Sequence, residues 1–598
     1  MTTTLVAGPL RADYDSGDIR CVRLGDEEIL RRIYVVFQDR NWTARPWRIV
    51  SEEIDDRGDS FTIHVTARGS FDAEPFTATI DIEGQSDGTL RYSLRGEASA
   101  PFLRNRLGIC VLHPMDGFAG RACEITHADG SVEMSAFPDS LSPHQPFLDI
   151  AAMTYPVSPG GHARIDFAGE VFETEDHRNW SDASYKTYCT PISLPFPVEV
   201  QPRDVVSQSV TLTLSEVPLA APAPLPDGPV EIWVDADPRP LPGIGVHLTD
   251  TPWTQPETAF LRSLYLDHIH ADVDASRSDA AERIREITVR ARDLGVRSFI
   301  ALHSSAEPDP LLSEPLADAG DTLAGVWVIH PGEKVTSRAT LDAWRSRLGP
   351  DLPWGCGTDL YFTELNRQPP DTTGLEWTTF SVNPQVHSFD DRTVLQNTAT
   401  LAVIAAEAPR LTGDTGIHVG PISLRPRFNP NATDPAADVS STDLPADVDG
   451  RQPTWFAAAW AALALRSLSS AATIRAVTLF EDLGWKGLRA HDAGQPDRGG
   501  FAGPPGSEDP AFDCRPGEVF PVAEVVRAVA GATHLLPTTS SDPEAVDGVV
   551  LDGPGGRCAI VVNLTDTPRE SLLIGAADAR VVLQPHDVLL VDLPGRAS

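Results

Sequence analysis

A central (β/α)8 barrel flanked by an N-terminal β-sandwich and a small C-terminal β-sandwich is the fold class this sequence predicts. Three observations predict it. Residues 1–216 alternate polar and apolar with period two and show no helical periodicity. From residue 243 onward, eight apolar strand-like runs are separated by helical or loop spacers, over roughly the 250 residues such a barrel needs. Beyond residue 533 the pattern returns to short strands.

The elements follow in order. FTIHVTARGSF, FTATIDIEG, GTLRYSLRGEA and VVSQSVTLTLSE are hairpin-length runs parted by Gly, Asp and Ser turns, which places a sandwich over 1–216. VPLAAPAPLPDGP (217–229) is too rich in proline to continue a sheet and reads as a stiff linker. In the barrel segment, 230–532, the strands are GIGVHL (243–248), HIHADV (268–273), VRSFIALH (296–303) and AGVWVIH (324–330). PWGCGTDLYFTELN (353–366), WTTFSVNP (377–384), GIHVGPISL (416–424) and IRAVTLFED (474–482) complete the set. A doubly wound open sheet is the rival, but no glycine-rich phosphate turn follows the first strand. A last helix, FPVAEVVRAVAG, leads to AVDGVVLDG, CAIVVNLTD, ESLLIGA and ARVVLQPHDVLLVDL, the second sandwich over 533–598. The Asp/Pro-rich stretch 431–453 is a long loop on the C-terminal face, where barrel active sites sit.

Composition narrows the partners. Forty-eight basic against 85 acidic side chains leave a net charge of −37, which repels nucleic acid and anionic membranes. Lysine is confined to Lys186, Lys334 and Lys486, so each one invites inspection. No run reaches the roughly 18 apolar residues that span a bilayer, and the first residues lack the basic and apolar regions of a secretory signal. Seven scattered cysteines without a C-x-x-C pair indicate neither a disulfide framework nor a zinc knuckle. A cytoplasmic protein acting on a small molecule is expected, with a homo-oligomer left open.

Chemistry in this fold is read from polar residues at the C-terminal ends of strands. Glu364 closes the fifth run and Glu481 the eighth, each after apolar residues that would raise a carboxyl pKa. Strands three apart face each other across the mouth, which suits an acid opposite a base or nucleophile. His247, His303, His330 and His387 also fall at or just beyond strand ends. His268 and His270 point the same way, as metal-binding pairs do, but no lysine lies nearby to bridge, and no metal or cofactor is expected. Cys356, between glycines, reads as packing, and there is no G-x-S-x-G elbow.

Three further segments are dense in side-chain chemistry. PISLRPRFNPNAT offers Arg425, Arg427, Asn429 and Asn431, whose forks and amides suit hydroxyls or a carboxylate. NPQVHSFDD offers Asn383, Gln385 and His387, which with Trp377 and Trp485 suit a polyhydroxylated ligand with one apolar face. EDHRNWSDASYKTY carries Lys186, retained against the arginine bias. Ordinary loop capping remains the alternative for the first two, and chance for the third.

These segments, together with FEDLGWKG and QDRNW, resemble the D-apionate lactonase family over nearly the whole chain. The resemblance implies an N-terminal β domain, a TIM barrel and a small C-terminal β domain, and hydrolysis of the lactone of a branched sugar acid. Two barrel glutamates are also similar to those of retaining glycoside hydrolases, although those enzymes use strands four and seven rather than five and eight. The expected catalytic pair is Glu364 as acid/base, beside Asn366, and Glu481 as nucleophile or base. His247, His303, Asn366, Asn383, Gln385, His387, Arg425, Arg427, Asn429, Trp485, Lys486 and Lys186 are the expected substrate contacts. A non-catalytic sugar-binding protein is the third class and requires both glutamates to be idle.

Overall fold

The computed structural model describes residues 2–69, 75–218, 222, 228–428, 444–492, 512, 514–575 and 579–593. Two compact units emerge, one of Met1–Arg178 and Ala183–Pro226, the other of Asn179–Asp182, Asp227–Phe428 and Val439–Ser598. No helix among the described residues is long and apolar enough to cross a membrane.

The first unit is the N-terminal β-sandwich, a system of antiparallel strands around one apolar core. Burial alternates along Phe61–Gly69, Phe76–Gly84 and Leu90–Ala98, as the period-two pattern requires. Late in the unit, Phe172–Glu175 pairs with Ser184–Tyr188 in a register that sets Glu175 opposite Lys186.

In the second unit, eight parallel strands close a barrel: β1 (Gly243–His247), β2 (His268–Asp274), β3 (Arg297–His303), β4 (Leu323–Ile329), β5 (Gly355–Tyr361), β6 (Trp377–Ser381), β7 (Gly416–Ile422) and β8 (Ile474–Glu481). Neighbours pair in sequence order, β8 pairs with β1, and the bridge Val326↔Trp354 closes the seam between β4 and β5. All eight fall on the runs read from the sequence. The fifth run is shorter than expected: β5 stops at Tyr361, and Phe362–Arg367 turns into a short helix, α1. Glu364 and Asn366 therefore sit on that helix, not at a strand end. The sixth stops at Ser381, which leaves Asn383, Gln385 and His387 in the loop that follows.

The barrel interior is built on imidazoles. His270 stacks between Trp327 (centroids 5.6 Å) and His418 (5.4 Å). The Thr478 hydroxyl on β8 joins His268 Nε2 (2.9 Å) to His418 Nε2 (2.8 Å), and His418 Nδ1 reaches Thr379 Oγ1 at 2.9 Å. His268 Nδ1 faces Asp267 at 3.2 Å. Burial holds the pKa of His268, His270 and His418 below the usual histidine range, so neutral tautomers fill the core. Gly245 on β1 makes room: a Cβ there would come within 2.3 Å of the His268 ring.

The C-terminal strands form two small sheets around a shared core. One finding differs from the sequence reading. Val230–Val234, placed with the barrel segment, pairs with Arg569–Ile574 and Thr538–Ser540, because its alternating VEIWV completes that sheet. Arg239–Pro240 likewise joins His534–Leu536.

Candidate active site

Asp272, near the C-terminal end of β2, is the centre of the barrel mouth. Arg427, on the chain after β7, donates to its Oδ2. His303, the last residue of β3, places Nε2 at 3.3 Å from Oδ1, and His247, the last residue of β1, places Nε2 at 3.9 Å from Oδ2. Burial alone would raise the Asp272 pKa, but Arg427, then His247 and His303, overcome it and hold the carboxyl well below its usual range. For His303, burial pulls down while Asp272 and then Asp359 push up, and the carboxylates win.

Asp359, on β5, lies 4.0 Å from His303 Nδ1. Its pKa is raised by burial, against the opposing pull of His303 and Arg427. One imidazole thus stands between two carboxyls whose environments drive their ionisation apart, the arrangement from which acid and base roles are assigned. His247 is pulled down to about 3 by burial, and its Nδ1 meets His270 Nδ1 at 3.0 Å, one ring donating to the other.

Glu481 ends β8 at the rim. Lys486 Nζ lies 2.9 Å from its Oε1 and donates to Asp447 Oδ2 at 2.6 Å. Burial raises the Glu481 pKa against the pull of Lys486. A cleft of about 560 Å³ opens here, lined by Thr249, Asp447, Glu481, Trp485, Lys486 and His491 among others. A second cleft, of about 240 Å³, is lined by Asp359, Tyr361, Ser381, Asn383, Ser423 and Arg427 among others. Arg427 links the two sides, since the charges of Asp272, Asp359 and Glu481 all bear on its guanidinium.

The other sequence-predicted residues divide. Glu364 is buried, with its carboxylate 3.1 Å from Lys334 Nζ. Asn366 donates to Asn179 Oδ1 (2.8 Å) and accepts from Arg410 (3.2 Å). Gln385 is held at both ends of its amide, by Leu424 O (2.8 Å) and Asp449 (2.6 Å) on one side and Arg451 (2.9 Å) on the other. Arg425 Nε lies 3.4 Å from that same Asp449, so both residues brace the chain leading into Thr454. His387 Nδ1 pairs with Asp182 Oδ2 at 2.7 Å and meets the Trp180 ring edge-on. His330 accepts from Gly332 N at 3.0 Å. Lys186, in the N-terminal unit, pairs with Glu175 at 3.2 Å. Asn429 and Asn431 lie outside the described residues. Burial pushes the Cys356 thiol up to about 12, in keeping with a packing role.

Asp272, Asp359 and Asp447 are not among the residues the sequence singles out. The first two carry the signal that selected Glu481, a carboxylate at the C-terminal end of an apolar strand. His247, His270 and Asp272 also bring ligand-type atoms within 4.8 Å of one another. The two imidazoles already bond through Nδ1, and Arg427 already neutralises Asp272, so this trio serves poorly as a cation site.

Acidic groups around a guanidinium at the C-terminal mouth of a (β/α)8 barrel occupy the place where barrel enzymes carry their active sites. Residues 1–217 match the family model for the D-apionate lactonase N-terminal domain, and residues 242–534 that for the D-apionate lactonase TIM barrel domain. The chain belongs to the D-apionate lactonase family. A D-apionate lactonase from Brucella anthropi is 29% identical over 459 residues, covering 72% of this chain and 74% of the relative. Among solved structures, a glucosidase from Croceicoccus marinus matches with 14% identity and a TM-score of 0.34, over 61% of this chain and 85% of the other. A glycoside hydrolase family 30 subfamily 8 xylanase from Clostridium acetobutylicum matches with 9% identity and a TM-score of 0.37, over 60% and 98%.

Proposed function

We propose that this protein hydrolyses a sugar-acid lactone at the mouth of its barrel. The observation that carries the reading is that Asp359 on β5 and Glu481 on β8, both acids of raised pKa, share the field of one guanidinium, Arg427. Family membership and the activity named for the Brucella relative support it.

Ring opening needs a base for water, a donor for the oxyanion and a proton for the departing oxygen. Glu481, drawn toward its carboxylate by Lys486 at 2.9 Å, takes a proton from water. The water oxygen bonds to the carbonyl carbon, and Arg427 meets the oxyanion that forms. When the oxyanion collapses, the ring C–O bond breaks and Asp359 gives its proton to the leaving oxygen. One water is consumed and one hydroxy acid released, and proton exchange with solvent resets both carboxyls. Glu364 is the alternative partner for Glu481, since it adjoins Tyr361 on the cleft wall. Asn383, Trp485 and Lys486 are assigned to the sugar hydroxyls.

The test is a panel of aldono-1,4-lactones assayed beside aryl glycosides, furanosides included. Acid release from lactones is expected. Turnover of the glycosides with no turnover of lactones would overturn the reading in favour of a glycoside hydrolase.

A further inference from the structure

We infer that His491 is a further substrate-binding residue of the cleft that holds Glu481, its Nε2 taking a hydrogen bond from a hydroxyl of the sugar, and that Glu257 aims it. The inference rests on the lactonase reading and adds to it one contact and the residue that positions that contact.

Glu257 belongs to the helix Gln255–Arg262 that follows β1, where it completes a capping box with Thr254. Its Oε2 accepts from Thr254 N at 2.7 Å and its Oε1 from Asp492 N at 2.9 Å. Burial alone would raise its pKa, but the N–H of Thr254, then that of Asp492, overcome it and hold the carboxyl below its usual range. A capping box needs only the first of these bonds. The second ties the helix to the chain beyond β8, and there His491 turns Nδ1 toward the same Oε1 at 3.5 Å. The backbone under His491 is fixed as well: Ala490 N donates to Glu518 O at 2.8 Å, and Gly517 N donates to His491 O at 3.1 Å.

Glu257 is 1% exposed and takes no part in the cleft lining, whereas His491 lines the cleft together with Glu481, Trp485 and Lys486. A carboxylate draws the proton-bearing nitrogen to itself, so the neutral ring keeps its proton on Nδ1 and offers a lone pair at Nε2. The two nitrogens of an imidazole point away from each other, which turns Nε2 from Glu257 toward the cleft. Among the described residues, Glu257 is the partner of this ring and no second side chain bonds to it. A lone pair in a cleft wall is met by a donor. Sugar hydroxyls donate, while the carbonyl and ring oxygens of a lactone only accept. His491 therefore takes a hydroxyl and leaves the reacting carbonyl to other groups.

The experiment measures kcat and KM of the purified full chain on the aldono-1,4-lactone it turns over fastest and on the monodeoxy counterparts of that lactone. His491→Phe keeps a ring in the wall and removes the acceptor. We expect KM to rise about tenfold while kcat stays within about twofold of the wild type. The rise should vanish on the one deoxy lactone that lacks the hydroxyl His491 holds, a coupling that a packing role does not produce. Glu257→Met frees the ring to turn and should raise KM on the same hydroxylated lactone. In the double variant KM should stay at the His491→Phe value, because both residues act through one contact. Additive rises would overturn Glu257 as the positioning residue. A KM less than about threefold above the wild type in His491→Phe, or an equal loss on every lactone, would overturn the inference and leave lactone hydrolysis standing. No turnover of any lactone by the wild type would remove the lactonase reading, and this inference with it.

Discussion

Arg427 reaches from the chain after β7 to the Asp272 carboxylate on β2, and the two side chains are 19% and 25% exposed. Replacing Arg427 with Met strands Asp272 without its main counter-charge. We expect a loss of roughly 3 kcal/mol in unfolding free energy, measured by denaturant titration at neutral pH, with the gap to the wild type narrowing in acid as Asp272 protonates. Arg427→Lys should retain much of that stability while kcat falls about 10²-fold or more, since an ammonium holds one partner where the fork holds two.

The pH–rate profile follows from Asp359 and Glu481. Glu481 must be ionised and Asp359 protonated, and both pKa values lie above the ordinary carboxyl range because of burial. Lys486 opposes that rise at Glu481, so Lys486→Met should raise the Glu481 pKa further. The acidic limb of kcat/KM should move to higher pH while the alkaline limb stays in place. An acidic limb unmoved in the variant would remove Glu481 as the base.

His303 makes the stability itself pH-dependent. Its folded pKa is raised by the carboxylates of Asp272 and Asp359 in excess of the lowering by burial. The stabilisation is therefore fully present below the unfolded value of about 6.5 and is lost as pH rises through the folded value. Unfolding midpoints followed from pH 6 to pH 9 should decline more steeply in the wild type than in His303→Gln.

Thr478 tests the imidazole core. One hydroxyl serves His268 and His418, so Thr478→Val keeps the shape and leaves two buried ring nitrogens unmet. A loss of about 2–4 kcal/mol is expected in thermal or chemical unfolding. Substrate specificity among lactones should hold, since the hydroxyl faces the core.

Glu364→Gln separates the two candidate partners of Glu481. With Asp359 as the acid, the variant should keep kcat within a few-fold and lose about 1 kcal/mol of stability or less, because Lys334 is half exposed and recovers water. A collapse of kcat with an intact fold would move the proton to Glu364.

The barrel strands were legible because parallel strands buried on both faces read as apolar runs, whatever surrounds them. The carboxylates were harder. TDLYFTELN reads as one continuous strand, yet the chain turns into a helix after Tyr361 and carries Glu364 with it. Asp272 and Asp359 carry the strand-end signal that marks Glu481, but the continuation of the fifth run to Glu364 hides where the strand of Asp359 ends. Gln385, Arg425 and Asn366 have the side chains of ligand contacts, but their partners Asp449, Arg451, Asn179 and Arg410 come from far along the sequence. Polar density in a loop marks a demand for hydrogen bonds; it does not say whether substrate or scaffold meets it. Lys334 stood outside every motif and could be joined to Glu364 only by folding.

The three lysines share a fate that affects how this protein can be handled. Each is held by a carboxylate: Lys186 by Glu175, Lys334 by Glu364, and Lys486 by Glu481 and Asp447. Their side chains are 7%, 44% and 26% exposed. Acylating reagents and amine cross-linkers will therefore find little to attack, with Lys334 reacting first and Lys186 last. Labelling of Lys486 should slow further when a ligand fills the cleft beside it, so the extent of acylation at that position doubles as a gauge of occupancy that needs no turnover.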